Sequence, residues 1–353
     1  TFFDEEAVAA DEESQRTGKP AEGTPKGPRR SGNRKALLVL LVAVVVLVLA
    51  VGGVVGYYFN RINSALENFG QGNLLPAPYA GQPQAATSAA KNFLIVGADK
   101  NDNGSDGRSD VLMIAHLSGD RKQIYLISFP RDMWVNVPAN DIVHRDSMAK
   151  INAAYSWGRS PLAVKTVEQL TQVRIDHTAE INFGGFMELT DTLGGVTVDN
   201  KVASTAGQYS YPKGEITVRG EEALTYVRQR HGLPNGDLDR AERQRAVLKA
   251  ILDKALSPEV LGNPVKFGEM LDLAGQQVTV DQTLPSSEVR GLIYELGVRE
   301  RSQVQSLQAP ITGFDQSADG QSIAVVNQPQ LAELSQALRE DKMADYLLKY
   351  PKG

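Results

Sequence analysis

"NFLIVGAD" (residues 92–99), "VLMIAHL" (111–117) and "QIYLISF" (123–129) are three short apolar runs that follow one another at regular spacing. They are rich in aliphatic and β-branched residues, which is typical of buried strands. Farther along, "SPLAVKTVEQLTQV" (160–173) and "AERQRAVLKAILDKAL" (241–256) show the apolar spacing of helices. This alternation predicts an α/β fold with a central mixed β-sheet flanked by helices.

The composition of the chain excludes several classes of function. The 353 residues include no cysteine, which excludes disulfides, thiolate catalysis and cysteine-based metal sites. The four histidines lack the HExxH spacing of zinc hydrolases, and the sequence has no Walker P-loop, GxGxxG or nucleophile elbow. Basic residues do not alternate with aromatic ones, so nothing indicates binding to nucleic acid.

The first ninety residues differ from the rest. Residues 1–35 are poor in large apolar groups, which predicts a disordered tail, and this tail ends on a basic cluster. "ALLVLLVAVVVLVLAVGGVVGYYF" (36–59) has no charge in 24 residues. A helix of this length rises about 36 Å, enough to cross a hydrocarbon core of ~30 Å. A cleaved signal peptide is the competing interpretation, but its apolar region is shorter.

The charges around this run predict its orientation. Because the basic cluster precedes the span, the positive-inside rule predicts a cytoplasmic N-terminus and places residues 60–353 outside the cell. Residues 60–90 are rich in Pro, Gly and Gln and are predicted as a linker. Residues 91–353 are predicted as a single extracytoplasmic domain, so the chain would be a single-pass protein of the cell membrane.

Polar clusters interrupt the apolar pattern just past strands, where α/β folds place their sites. Asp99 ends the first run, and Asp110 precedes the second. Two carboxylates at neighbouring strand ends can share one Mg²⁺ or Mn²⁺ ion, whereas capping of two turns is the simpler explanation on spacing alone. Arg131 and Asp132 follow the third run, where they could form a structural pair.

The stretch "YVRQRHGLPNGDLDRAERQR" (226–245) packs five arginines into twenty residues of a chain whose formal net charge is −5. If the chain is extended from Arg228 to Arg230, both side chains leave the same face, and Arg240 can converge with them. Converging guanidinium groups repel one another unless an anion lies between them. Their forked geometry matches phosphate oxygens.

The helix that ends this stretch distributes its polar side chains over several faces. Asp237, Arg240 and Gln244 share one face at the spacing i, i+3 and i+7. Arg243 and Arg245 lie on other faces, so we expect them to be solvent charges, partly paired with a neighbouring glutamate.

The three converging arginines, Arg228, Arg230 and Arg240, could bind a pyrophosphate. The two strand-end carboxylates, Asp99 and Asp110, could bind a Mg²⁺ ion that accompanies it. The alternative is a structural network of salt bridges that uses Asp237 and Asp239. Both interpretations stay open on the residues alone.

The motifs together resemble the LytR-CpsA-Psr family. The ordered series runs from about Asn92 to Leu256 and comprises "GRSDVLMI", "SFPRDMWV", "KINAAYSWG", "FGGFMELTDTLGGVTVD" and "ALTYVRQR…DLDRAERQ". The resemblance implies a membrane-anchored ligase that transfers a glycopolymer from undecaprenyl pyrophosphate to peptidoglycan through a phosphodiester. The implied partners are this carrier-linked glycopolymer, peptidoglycan and membrane lipid.

The resemblance also implies roles for individual residues. The metal-binding aspartates of the family fall on Asp99 and Asp110, with Mg²⁺ or Mn²⁺ as the cofactor. The runs Val111–Leu117 and Phe183–Leu193 would help to wall a groove for the prenyl tail. Arginines with a catalytic role fall on Arg131, Arg228 and Arg230. The residues that would bind the pyrophosphate are Arg131, Lys150, Asn152, Arg228, Arg230, Asp237, Arg240 and Gln244.

Two other functions fit the same residues. A non-enzymatic envelope regulator would bind a prenyl pyrophosphate and signal through the N-terminal tail, although this tail has no recognisable helix-turn-helix. A lipid pyrophosphatase would pass the phosphate to water. The pyrophosphatase and the transferase differ only in the acceptor that reaches the phosphorus.

Overall fold

The computed structural model describes residues 70–86, 88–98, 109–295 and 303–351, together with residues 56, 57, 60, 61, 63 and 64. The predicted tail and most of the predicted span lie outside these ranges. Among the described residues, no helix is both long enough and apolar enough to cross a membrane. The predicted anchor therefore stays a prediction.

Within the described part of the chain, seven strands form a central mixed sheet. Their order is β1 (Gly70–Gly72), β12 (Val278–Asp281), β7 (His177–Asn182), β2 (Lys91–Ala98), β3 (Ser109–Leu117), β4 (Gln123–Ser128) and β13 (Gln303–Gln308). β2 is parallel to β7 and antiparallel to β3, which is antiparallel to β4. The C-terminal ends of β2, β4 and β7 therefore lie at one edge of the sheet.

Helices and short ribbons surround this sheet. The helices are α1 (Asn152–Thr171), α2 (Phe183–Thr192), α3 (Gly220–Arg228), α4 (Asp237–Ala255), α5 (Pro258–Leu261), α6 (Pro264–Gln277), α7 (Ser286–Tyr294), α8 (Gln328–Arg339) and α9 (Met343–Lys349). The antiparallel ribbons pair β5 (Trp134–Val137) with β6 (Ser147–Lys150), β8 (Val196–Asn200) with β11 (Gly214–Val218), β9 (Ser204–Ala206) with β10 (Tyr209–Tyr211), and β14 (Ile311–Gln316) with β15 (Ser322–Val326). The predicted mixed α/β architecture is confirmed.

Both faces of the sheet are covered at its centre, which explains why β2, β3 and β4 are largely apolar. Side chains alternate between the faces along each strand. Ile114 and Ile127 belong to the core on the side of α1 and α8. Leu126 and Val304 pack on the opposite side, where Leu248 of α4 covers them. A strand buried on both faces has no polar side, so its sequence is a continuous apolar run.

Helix α1 has a kink near its middle. Gly158 and Arg159 leave the helical conformation, and Arg159 has a φ of 56°. The helix resumes at Ser160, so Pro161 lies in the first turn of the second half, where its missing N–H breaks no hydrogen bond. The sequence predicts a helix that begins at Ser160. The structure confirms this start as the point where α1 resumes after its kink.

The segment before Lys91 packs against the domain, although its composition indicated a linker. β1 pairs in parallel with β12, and Leu74 is buried. The hydroxyl of Tyr79 donates a hydrogen bond to Oε2 of Glu168 at 2.8 Å. These partners lie far away in the sequence, so local composition carries no signal for them. The predicted linker is therefore part of the fold from at least Gly70 to Tyr79.

Candidate functional site

The corner between α3 and α4 brings the arginine-rich stretch to the surface of the fold. α3 ends at Arg228, and Gln229 then adopts an extended conformation. Arg228 is thus the last helical residue, whereas the predicted convergence assumed that it was extended. Gly236 precedes α4 with a φ of 51°, a conformation that favours glycine. The helix therefore starts at Asp237, with Arg240 one turn later.

Asp237 lies at the centre of a positively charged cluster. Its Oδ1 atom is 2.6 Å from Nη2 of Arg240, 3.3 Å from Nε of Arg131 and 3.7 Å from Nε of Arg230. The Arg240 side chain is only 3% exposed, whereas that of Arg230 is 37% exposed. Three guanidinium groups thus converge on one carboxylate, and the side chains of Arg230 and Asp237 remain partly exposed to solvent. This geometry can accept an anion, and it also contains part of the salt-bridge network considered above.

A second ion pair extends the cluster at the end of β4. Nζ of Lys150 lies 2.8 Å from Oδ1 of Asp132, and Nε of Arg131 lies 3.7 Å from Oδ2 of the same carboxylate. The backbone N–H of Asn152 donates to the carbonyl of Arg131 at 3.3 Å, which joins the start of α1 to this loop. The predicted positions Lys150 and Asn152 thus lie beside Arg131.

Asp239 has a different role from Asp237. Its carboxylate accepts hydrogen bonds from the backbone N–H of Asn235 at 2.9 Å and from the side-chain amide of Asn235 at 3.0 Å. These bonds fix the loop that leads into α4. Of the two aspartates in the predicted salt-bridge alternative, the structure therefore brings Asp237 into the arginine cluster, whereas Asp239 binds the loop before α4.

An apolar pocket adjoins the cluster between the sheet and helices α2, α3 and α4. Val111 and Met113 of β3 and Phe186 of α2 contribute to it, so both runs that were expected to wall a groove line this pocket. Gln244 donates to the carbonyl of Val227 at 3.3 Å. The mostly apolar lining also includes Asn182 at the end of β7, and Arg228 and Gln244 on the α3–α4 side.

Arg243 and Arg245 are not solvent charges, so the prediction for these two residues is wrong. Arg243 is 4% exposed, and its guanidinium donates to Gln229 Oε1 at 2.7 Å. Arg245 donates from Nη1 to Oγ of Ser128 at 2.7 Å, and burial lowers the pKa of Arg245 to about 10. The helical spacing gave their faces correctly. However, α4 packs against β8 on one side and against β4 and β13 on another, which buries those faces.

The predicted metal ligands can be followed only in part. Asp99 lies outside the described residues, and Asp110 is the second residue of β3. Among the residues that the structure describes, no group of three or more histidine or acidic side chains could hold a metal ion. Metal binding by Asp99 and Asp110 therefore stays a prediction.

Both the sequence and the overall fold have relatives among known proteins. Residues 72–340 match the LytR_cpsA_psr family. The chain is 31% identical over 258 residues to the polyisoprenyl-teichoic acid–peptidoglycan teichoic acid transferase TagU of Bacillus subtilis, covering 73% of this chain and 81% of TagU. The crystal structure of B. subtilis TagV superposes with a TM-score of 0.60 at 27% identity, covering 72% of this chain and 97% of TagV. The structure of TagT bound to LIIa-WTA gives a TM-score of 0.56 at 27% identity, covering 77% and 96%. The chain belongs to the LytR_cpsA_psr family.

Proposed function

We propose that this protein transfers a glycopolymer from an undecaprenyl-pyrophosphate carrier to peptidoglycan and forms a phosphodiester. The observation that carries this proposal is the junction of a positive cluster and an apolar pocket at Arg228 and Gln244. A prenyl pyrophosphate has a charged head and an apolar tail, and the two regions match these halves in polarity. The apolar cavity has a volume of about 70 Å³, so it would take only the part of the tail next to the head group. The name of TagU and the ligand of TagT support the same class of substrate.

The reaction needs stabilisation of negative charge on the diphosphate. A peptidoglycan hydroxyl attacks the phosphorus next to the sugar polymer, a new P–O bond forms, and the bond to the bridging oxygen breaks. Undecaprenyl phosphate leaves, and the proton of the hydroxyl passes to a base, for which Asp99, Asp110 and Asp132 are the candidates. Arg131 and Arg230 lie where they can neutralise the charge that develops on the leaving phosphate.

We further propose that Asp99 and Asp110 bind Mg²⁺ or Mn²⁺. A divalent ion would add Lewis-acid stabilisation of the diphosphate oxygens. EDTA should then abolish transfer, and added Mg²⁺ should restore it. Asp110→Asn should raise the Mg²⁺ concentration required for half-maximal rate, which titration of the metal measures. Full activity of the wild type in EDTA would exclude this part of the proposal.

The proposed location is the cell membrane. Residues 36–59 would span the bilayer once, with the N-terminus in the cytoplasm and the catalytic domain outside. The lipid carrier is confined to the same bilayer, so an anchored enzyme meets its donor at high local concentration. A protease-protection experiment on intact cells, with an epitope at each end of the chain, tests this orientation.

The transfer itself is tested with the full chain in detergent. It is incubated with a short lipid-pyrophosphate-linked saccharide, a peptidoglycan oligomer and Mg²⁺, and the products are identified by mass spectrometry. A saccharide–phosphate–glycan product that is lost in Arg230→Ala is the expected result. Release of free saccharide phosphate alone would support the pyrophosphatase. Tight binding of the lipid without any turnover would support the regulator.

A further inference from the structure

The buried arginine of α4 has an unusual set of partners. Arg243 donates from Nη1 to Oε1 of Gln229 at 2.7 Å. Its Nη2 donates to Oγ of Ser204 at 2.8 Å, to the carbonyl of Val202 at 3.1 Å and to Oδ1 of Asn200 at 3.3 Å. The guanidinium thus joins α4 to the end of β8, to the start of β9 and to the residue that follows α3.

All of these partners are neutral. Within the described residues, no carboxylate lies within 4 Å of the Arg243 guanidinium. The cation instead lies over the ring of Tyr226, 4.3 Å from its centroid, with the ring of Tyr211 at 5.7 Å. Burial lowers the pKa of Arg243. The charge of Asp239 acts in the opposite direction but forms no ion pair with Arg243, so burial of this cation costs free energy that packing alone does not explain.

Gln229 receives the shortest of these bonds, and its side chain is fully used. Its Oε1 also accepts from Oγ of Ser204 at 2.9 Å. Its Nε2 donates to the carbonyls of Thr205 and His231, both at 3.0 Å. An amide with two acceptor sites and two N–H groups has no further capacity, so its rotamer is fixed. Gln229 is 8% exposed and points into the fold.

The direction of Gln229 determines the direction of its neighbours. Side chains alternate along extended backbone, so Gln229, which is extended and points inward, directs the following residue outward, and on its other side it fixes the end of α3, whose last residue is Arg228. The neighbours are Arg228, which lines the apolar pocket, and Arg230, which faces Asp237. Arg243 itself follows Arg240 by three residues on α4. The Arg243 guanidinium therefore links two parts of the site. One is the end of α3, with Arg228 and Arg230 beside Gln229, and the other is α4, which carries Arg240.

We propose that Arg243 is a positioning residue that acts through Gln229 to hold the two halves of the anion site in register. Both Nη1 and Nη2 of Arg243 donate to protein acceptors and the side chain is 4% exposed, so we assign it no contact with the substrate. Its contribution is the relative placement of the α3 end and α4. This inference rests on the proposed function, because the segment it places is the one assigned there to the pyrophosphate.

The test uses the full chain in detergent and compares Arg243→Met, Arg243→Lys and Val247→Ala. Val247 is buried one turn farther along α4 and carries no polar group, so its truncation controls for loss of stability. Farnesyl pyrophosphate serves as the binding probe, and transfer is followed with the carrier-linked saccharide. The melting temperature of each variant is measured in parallel.

Arg243→Met should weaken binding of farnesyl pyrophosphate and lower kcat/KM on the order of 10²-fold, the cost of misplacing reacting groups by about 1 Å. Arg243→Lys should not restore activity, because one ammonium cannot bridge the same acceptors. Val247→Ala should keep its binding and kcat/KM per folded molecule, even where its melting temperature falls as far.

A double-mutant cycle with Gln229→Ala separates positioning from general damage. If Arg243 acts through Gln229, the double variant loses little more than either single variant. Independent, additive losses would overturn the inference, as would an Arg243→Met variant with the kinetics of Val247→Ala. A wild type that neither binds farnesyl pyrophosphate nor transfers the saccharide would instead refute the proposed function.

Discussion

Two aspartates in this fold are surrounded by hydrogen-bond donors, and their surroundings differ in charge. Asp281 is 1% exposed and accepts from the backbone N–H groups of Thr178 and Thr283, both at 2.9 Å. Nδ1 of His177 lies 3.2 Å from the same carboxylate. Asp237 is 19% exposed and has three guanidinium groups within 4 Å. The first carboxylate is satisfied mainly by neutral groups, whereas the second is outnumbered by cations.

This difference indicates which cluster holds the fold together and which one binds a ligand. Buried polar groups are stable when each donor has an acceptor, as at Asp281. A surplus of like charges at a solvent-accessible position is unfavourable by itself and becomes favourable when an anion arrives. Changes at Asp281 should therefore affect stability, and changes around Asp237 should affect substrate handling.

The largest effect is expected at the arginines of the cluster. Arg230→Ala should lower kcat/KM for transfer by about 10²–10³-fold, because it removes a cation from the developing charge on the leaving phosphate. Its melting temperature should change little, since the side chain is partly exposed. Steady-state kinetics with the carrier-linked saccharide measures the effect. An unchanged rate would mean that the cluster is a structural salt-bridge network.

At Asp281 we expect a loss of stability without a loss of activity. Asp281→Asn should lower the free energy of unfolding by about 1–3 kcal/mol, because the amide leaves buried donors without an acceptor. Transfer per folded molecule should stay at the wild-type level. Urea unfolding and activity of the native fraction test the two statements. A kinetic defect without a loss of stability would remove the distinction between the two aspartates.

The pH dependence of stability gives a second test of Asp281. Burial by itself raises the pKa of Asp281, but hydrogen bonds from His177, Thr283 and the backbone of Thr178 outweigh it, and the pKa lies below its ordinary value. Stabilisation from this carboxylate is thus complete above its ordinary pKa of about 3.9 and is lost as the pH falls through the lower folded pKa. Urea unfolding across this range should show a smaller acid-side loss in Asp281→Asn than in the wild type.

Asp237→Asn should have a smaller effect, on the melting temperature. The variant should melt lower than the wild type without ligand, and ligand should stabilise it more. Without the carboxylate, the surrounding guanidinium groups repel one another, so the ligand-free protein should melt a few degrees lower. Added pyrophosphate should then raise the melting temperature by more than it does in the wild type, because the ligand relieves more repulsion. Thermal melts with and without pyrophosphate show both effects. A smaller ligand-induced shift would mean that Asp237 itself orients the anion.

The smallest effect is expected for an exposed ion pair. Nζ of Lys349 lies 2.6 Å from Oε2 of Glu333, but both side chains are largely exposed. Solvent and salt screen such a pair, so Lys349→Ala should change neither the melting temperature nor the rate measurably. A clear loss of stability would show that an exposed ion pair contributes measurably to the free energy of unfolding of this protein.

The fold was predictable where the sequence pattern reports burial directly. The strands within residues 91–128 are apolar because both faces of the sheet are covered, so their existence follows from composition alone. The contacts of residues 70–86 were not predictable in this way. Leu74 and Tyr79 sit in a segment of polar and turn-forming residues, and their partners come from distant parts of the chain.

The site was predictable to the extent that helix geometry fixes it. The spacing of Asp237 and Arg240 places them on one face, and they do form an ion pair. Spacing cannot tell whether a face is covered, so the burial of Arg243 was missed. Gln229 was missed as well, because its buried hydrogen-bond partners lie elsewhere in the chain and leave no local signal.

The pairing of β1 with the edge of the sheet limits the distance between the domain and the proposed membrane span. Residues 60–69 are the ten positions between the proposed span and β1, and their contour is at most about 35 Å. Two of them already contact the domain, since Arg61 lies 2.6 Å from Asp272, and Asn63 accepts from Arg290. If residues 36–59 are anchored in the membrane as proposed, this short connection limits how far the domain can move from the bilayer, which suits a donor that is carried by a lipid.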